Sequence, residues 1–213
     1  MSDRHPCQLY LISPLETGGD FPERLRVALA GGPVAAFQFR VKGVDPEEAA
    51  RLAEPLQAIC NEFDVAFIVN DDVTLAARLG ADGVHLGQGD ESLEMARAAL
   101  GKDVQIGVTC HDSRHLAMEA GEGGANYVAF GAFFPTDTKE TFHRPEPDLL
   151  QWWSEMMEIP SVAIGGITPD NCRPLIDAGA DFLAVCGAVW QDPAGPAAAV
   201  GKFAEMMENG SPA

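Results

Sequence analysis

Basic side chains are scarce in this chain of 213 residues: 14 Lys and Arg stand against 32 Asp and Glu, a formal net charge of −18. That balance argues against a nucleic-acid backbone or an anionic membrane as the main partner, since either needs a positive surface. Any phosphate site must therefore be local. Cysteine is sparse too: Cys7, Cys60, Cys110, Cys172 and Cys186 are scattered without a CxxC spacing. An odd, dispersed set does not make a disulfide framework and suits reduced thiols in a cytoplasmic setting. Long apolar runs are missing, none approaching the ~20 residues of a membrane span. The opening MSDRHPCQLYLIS also lacks a basic segment followed by an apolar core. Neither secretion nor membrane insertion is expected. Low-complexity linkers are absent as well, which leaves one domain over residues 1–213 with a loose tail after about Asn209.

What is present is alternation. Short apolar runs, mostly β-branched or aromatic, recur between longer amphipathic stretches, the pattern of parallel strands joined by helices. Strands are expected at QLYLIS from Gln8, AAFQF from Ala35, AFIV from Ala66, GVHL from Gly83, VQIGV from Val104, YVAF from Tyr127, SVAI from Ser161 and FLAVC from Phe182. Helices are expected over Asp45 to Glu62, Val73 to Leu79, Ser92 to Leu100, Asp112 to Ala120, Pro169 to Ala178 and Pro193 to Met207. Asp45-Pro46-Glu47-Glu48 and Thr168-Pro169-Asp170 read as capped helix starts. Gly80-Ala81-Asp82 recurs at Gly179-Ala180-Asp181 as a weak internal repeat on the helix-to-strand face, away from the chemistry. Eight such units make a (β/α)8 TIM barrel, with a doubly wound open sheet as the alternative.

A barrel gathers ligands at the C-terminal ends of its strands, and those ends are polar here. The stretch from Tyr127 to Lys139, YVAFGAFFPTDTK, runs from a buried strand into glycine, proline, hydroxyls and a lysine. Those groups suit anionic oxygens. Strand two ends in Gln38, Phe39, Arg40, Val41 and Lys42, with alternation placing Gln38, Arg40 and Lys42 on one side. Strand three ends in Asn70, Asp71 and Asp72; Gly87, Gln88, Gly89 and Asp90 follow strand four. Asp71 and Asp90 are candidates for holding Mg²⁺ against phosphate oxygens. Asp72 reads better as a helix N-cap, a role open to Asp71 too. His85 reads as an interior histidine with satisfied nitrogens. His111 and His115 lie at i, i+4 spacing and read as a solvated helix face lacking a third ligand. Thr109 and Cys110 follow strand five, and Gly165-Gly166 after strand seven is a turn suited to phosphate at a helix N-terminus. Cys186, with Gly187 after it, is a pocket wall or a structural thiol. Two anion sites on one face imply two phosphorylated small-molecule substrates. The thin set of acids and bases favours electrostatic stabilisation of a leaving pyrophosphate over proton abstraction.

Through QFRVK at Gln38, VND at Val69, GADGVHLGQGD at Gly80, GVT at Gly107, PTDTK at Pro135 and AIGGIT at Ala163, the chain resembles the thiamine phosphate synthase family over nearly its whole length. The resemblance implies a (β/α)8 barrel that condenses 4-amino-5-hydroxymethyl-2-methylpyrimidine diphosphate with a thiazole phosphate, giving thiamine phosphate and pyrophosphate by Mg²⁺-assisted dissociative displacement. It implies pyrimidine diphosphate contacts from the QFRVK segment (Gln38 to Lys42), Asn70, Thr109 and Lys139, with Arg40 and Lys139 catalytic. It further implies Mg²⁺ on Asp71 and Asp90, and a thiazole phosphate site at Thr136, Asp137, Thr138, Gly166, Cys186 and Gly187. Val41, Asp72 and Gly187 depart from the family pattern, the last replacing a serine that commonly donates a hydroxyl. The nearest rival is the thiazole tautomerase branch, whose histidine after the sixth-strand glycine is Ala132 here; a noncatalytic phosphate-ligand binder is another. Homo-oligomerisation is left open.

Overall fold

The computed structural model describes residues 6–136 and 142–208. Within them, β1 (Gln8–Ile12), β2 (Ala36–Phe39), β3 (Ala66–Asn70), β4 (Gly83–Leu86), β5 (Gln105–His111), β6 (Tyr127–Gly131), β7 (Ser161–Ile164) and β8 (Phe182–Val185) pair in sequence order. They form a closed parallel barrel, β8 returning to β1 with Tyr10 opposite Ala184. This is the TIM-barrel architecture rather than an open sheet. The helices are α1 (Phe21–Leu29), α2 (Pro46–Glu62), α3 (Val73–Leu79), α4 (Leu93–Leu100), α5 (Arg114–Glu122), α6 (Asp148–Met156), α7 (Arg173–Asp177), α8 (Gly187–Trp190) and α9 (Pro196–Glu208). Among the described residues, no helix is long and apolar enough to cross a membrane.

The strand period of two sorts the apolar residues into two cores. Leu9, Leu11, Phe37, Phe39, Phe67, Val84, Ile106, Val128 and Phe130 face the helices. Tyr10, Ile12, Ala36, Ile68, Tyr127, Ala129, Val162 and Ala184 fill the lumen. Burying each large side chain of the outer layer is worth about 1.5–3 kcal/mol.

Several helix starts follow the sequence. Asp45 accepts from the Glu47 and Glu48 amides, and Ser92 accepts from Met95 N–H. Others differ. The sequence reading names no helix at α1, α6 or α8, and none of these has a side-chain cap bond that would mark its start. The helix expected from Pro169 begins instead at Arg173. Asn171 accepts from Thr168 N–H at 2.8 Å and donates to Gly166 C=O at 3.0 Å, which holds 168–172 in turns. The helix expected from Pro193 starts at Pro196.

The Gly-Ala-Asp repeat has a mechanical role at the opposite end from the strand C-termini. Asp82 accepts from Phe67 N–H at 2.8 Å, and Asp181 accepts from Ser161 N–H at 2.8 Å. A third copy, Gly124-Ala125-Asn126, does the same for Ile106 N–H at 2.8 Å. Each glycine has positive φ, as the turn out of the preceding helix requires. The starts of β4, β6 and β8 thereby pin those of β3, β5 and β7.

Candidate active site

At the C-terminal mouth the lumen turns from apolar to polar in the sector from β2 to β5. Gln38, His85 and Thr109 are inner-face positions, and Asn70 lies in register with His85. Gln38 is buried, its Nε2 donating to Tyr10 Oη at 2.9 Å. Thr109, expected beyond strand five, lies within β5, which runs on to His111 through an irregularity in register. His85 Nδ1 lies 3.1 Å from Tyr127 Oη and Nε2 2.8 Å from Thr109 Oγ1, so both ring nitrogens are engaged, as an interior histidine requires.

Arg40 follows β2 and is held by its backbone. Ser13, fully buried after β1, accepts from Arg40 N–H at 2.8 Å and donates to Arg40 C=O at 3.1 Å. The Cys186 thiol, after β8, donates to Ser13 C=O at 3.6 Å. Burial pushes that thiol up to about 11, against a smaller lowering by the Arg40 charge. A thiol kept protonated in this way is a poor nucleophile, and Cys186 packs against the core. Phe39 and Val41, expected among ligand contacts, pack toward the helices, Phe39 stacked on Phe67 at 6.0 Å. Alternation explains this, and at the site the two offer only backbone and the rim of a recess of about 140 Å³ shared with Lys42, Asn70 and Asp71.

Asp71 has φ +65, with its N–H donating to His85 C=O at 2.8 Å, which ties the end of β3 to β4. Asp72 accepts from Leu75 N–H at 2.8 Å as the cap of α3, so its charge is engaged at the helix start. Asp90 Oδ2 accepts from Gly87 N–H at 2.7 Å; a Cβ at Gly87 would sit 2.9 Å from that oxygen. Among the described residues no group of three or more His, Cys, Asp or Glu is disposed around a metal. Two carboxylates still match Mg²⁺, which commonly takes one or two and fills its octahedron with water and substrate phosphate.

Across the mouth, Gly165 and Gly166 have φ +100 and +62. A Cβ on Gly166 would lie 2.3 Å from Pro135 O, and one on Gly165 2.2 Å from Ala132 Cβ. The pair thus lets the segment leading to Thr136 lie directly on the β7 loop. Because α7 starts at Arg173, these amides belong to a free-standing turn and not to the helix N-terminus expected. Gly187 opens α8 after β8, the strand paired with β7. Asp137, Thr138 and Lys139 lie outside the described residues.

His111 and His115 do not share a helix face. His111 ends β5 with φ +54 and stacks on His143 at 4.3 Å, while His115 on α5 is 3.4 Å from Glu119. Sequence reasoning missed Ser13, although it ends an expected strand, and Tyr10 and Tyr127, whose inward direction is encoded only in the strand period. It also missed Arg144, which reaches Ala132 C=O at 3.4 Å from a segment with no motif.

Residues 9–189 match the family model described as thiamine monophosphate synthase. The thiamine-phosphate synthase of Erythrobacter litoralis is 66% identical over 206 residues, covering 95% of this chain and 96% of that protein. That of Rhodospirillum centenum is 55% identical over 202 residues, covering 94% and 98%. Among solved structures, thiamine phosphate pyrophosphorylase from Pyrococcus furiosus superposes with a TM-score of 0.86 at 32% identity, covering 96% of this chain and 97% of that one.

Proposed function

The chain belongs to the thiamine monophosphate synthase family, and from that premise we propose that it is a transferase joining 4-amino-5-hydroxymethyl-2-methylpyrimidine diphosphate to a thiazole phosphate. The observation that carries this reading is the convergence of Gln38, Arg40, Asn70, Asp71, Asp90, Thr109, Gly166, Cys186 and Gly187 on strand ends at one barrel mouth.

The family resemblance implies dissociative chemistry, and it suits what those residues can do. The bond between the pyrimidine methylene carbon and the diphosphate oxygen breaks, its electron pair leaving with pyrophosphate. The thiazole nitrogen lone pair then forms the new C–N bond to the pyrimidine-stabilised cation. No proton need be abstracted, in keeping with a mouth where His85 is hydrogen-bonded at both nitrogens and the Cys186 thiol is raised to about 11. Arg40, Lys42 and Lys139 would attract the diphosphate, and Arg40 and Lys139 would stabilise charge as pyrophosphate departs. Asp71 and Asp90 would hold Mg²⁺, whose charge offsets that of the diphosphate oxygens. Asn70, Gln38 and Thr109 would orient the pyrimidine. Thr136, Asp137, Thr138, Gly166, Cys186 and Gly187 would seat the thiazole phosphate.

The test is direct. Purified protein given both substrates and Mg²⁺ is expected to yield thiamine phosphate and pyrophosphate in equal amounts, with Arg40→Ala and Lys139→Ala losing most of the rate. Absence of product at saturating substrates would overturn the reading, and tautomerisation of a thiazole carboxylate phosphate would assign the chain to the other branch of its superfamily.

A further inference from the structure

The chain contains two tyrosines, and both stand inside the barrel with their hydroxyls 3.0 Å apart. Phenylalanine would fill the same apolar lumen without bringing a polar group that needs a partner. Tyr127 sits level with Gly107 of β5, where an added Cβ would fall 2.0 Å from its ring carbon Cζ. The missing side chain at Gly107 therefore admits the tyrosine ring, which also stacks on His85 with centroids 5.6 Å apart.

The hydroxyls link a chain across the lumen: Gln38 Nε2 to Tyr10, Tyr10 to Tyr127, Tyr127 to His85 Nδ1, and His85 Nε2 to Thr109 Oγ1. Its direction follows from counting protons. Gln38 Nε2 is a donor only, so the Tyr10 oxygen accepts at that end. If Tyr127 also donated to Tyr10, the buried Tyr10 hydroxyl proton would have no acceptor, a costly arrangement. Tyr10 therefore donates to Tyr127, Tyr127 donates to His85 Nδ1, and His85 carries its proton on Nε2 and donates to Thr109. Burial keeps both phenols protonated, Tyr10 being pushed up to about 12 and Tyr127 raised well above its ordinary value.

At the open ends this polarity leaves Gln38 with its Oε1 as an acceptor and Thr109 with its hydroxyl proton to give. We propose that Tyr10, Tyr127 and His85 are positioning residues that set the polarity of Gln38 and Thr109, and thereby select a heterocycle offering an amino N–H and an unprotonated ring nitrogen. This rests on the function proposed above, since an aminopyrimidine is such a ring. A 4-oxo pyrimidine, with a carbonyl and a protonated ring nitrogen in those places, presents the opposite pattern and is rejected.

Two readouts test it. In ¹⁵N-histidine NMR of the wild-type protein, with His85 assigned by its loss in His85→Asn, the ring is expected as the neutral Nε2–H tautomer. An Nδ1–H tautomer or an imidazolium at neutral pH overturns the polarity whether or not the protein is active. In turnover, Tyr127→Phe and, at the other link, Tyr10→Phe are expected to lower the kcat/KM preference for the 4-amino over the 4-oxo pyrimidine diphosphate by about tenfold, leaving KM for the thiazole phosphate within about twofold. Unchanged preference in either folded variant, or a parallel rise in both KM values, overturns the proposal. A wild type that makes no thiamine phosphate instead overturns the functional reading, and the tautomer then decides the polarity alone.

Discussion

Ser13 holds Arg40 from both sides of one residue, its hydroxyl accepting from Arg40 N–H at 2.8 Å and donating to Arg40 C=O at 3.1 Å. The cation expected to meet the diphosphate thus stands on backbone fixed by the neighbouring strand end, and Ser13 N–H also donates to Gln38 C=O at 2.9 Å. Ser13→Ala leaves a part-buried N–H without its acceptor, a cost of about 1 kcal/mol. Urea unfolding should register that loss. KM for the pyrimidine diphosphate should rise about tenfold with little change in KM for the thiazole phosphate; a stability loss with no change in kinetics would separate Ser13 from the site.

Gly187 opens α8, and a Cβ added there would meet only Gln191, whose Oε1 would lie in ordinary contact at 3.6 Å. Its φ is not among the positive ones, so a side chain is free of backbone strain. Gly187→Ser should therefore fold as well as the parent and supply one more donor to the phosphate, lowering KM for the thiazole phosphate about fivefold, the equivalent of about 1 kcal/mol. An unchanged KM in isotope-traced initial rates would mean that the thiazole phosphate does not sit beside this residue.

Asp90→Asn retains an oxygen for Gly87 N–H, the bond of 2.7 Å that shapes its loop, and removes the negative charge. The melting temperature should hold. The Mg²⁺ concentration giving half-maximal rate should rise at least about tenfold, because the cation's preferred hard, charged oxygen has been replaced by a neutral one. An identical Mg²⁺ titration in variant and parent would exclude Asp90 as a ligand.

Alkaline pH should destabilise the fold. Burial raises the Cys7, Cys60 and Cys110 thiols from 9.0 to about 12 and the Tyr10 phenol from 10.0 to about 12. The unfolded chain releases these protons from pH 9 upward while the folded chain retains them toward 12. The folded state then binds more protons, so stability is complete below about pH 9 and falls progressively above it. Under reducing conditions the urea midpoint should be level from pH 7 to 8 and decline above 9, with a shallower decline in Cys60→Ala. A midpoint level through pH 11 would contradict this.

The local sequence determines the barrel and much of its rim. Strand positions were legible because buried parallel strands must be short, apolar and β-branched, and the starts of α2, α3 and α4 because Asp45, Asp72 and Ser92 supply cap oxygens. Gln38, Asn70, Asp71 and Thr109 could be named as site candidates because in this architecture chemistry follows strand ends. α1 and α6 went unread although Asp20, Pro22 and Glu23 stand at the start of the first and Asp148 at that of the second, neither start being closed by a side-chain cap bond, and the late start of α7 depends on Asn171 folding back on Thr168 and Gly166. Tertiary structure alone decided which side of each strand matters: it turned Phe39 and Val41 toward the helices, brought Ser13 against Arg40, and set Tyr10, Tyr127 and His85 in one line although they come from β1, β6 and β4. The physical reason is that a strand's side-chain period of two records alternation but not partners. Hydrogen bonds between residues 28, 42 and 117 positions apart form only when closure of the barrel brings their inner faces to the same level.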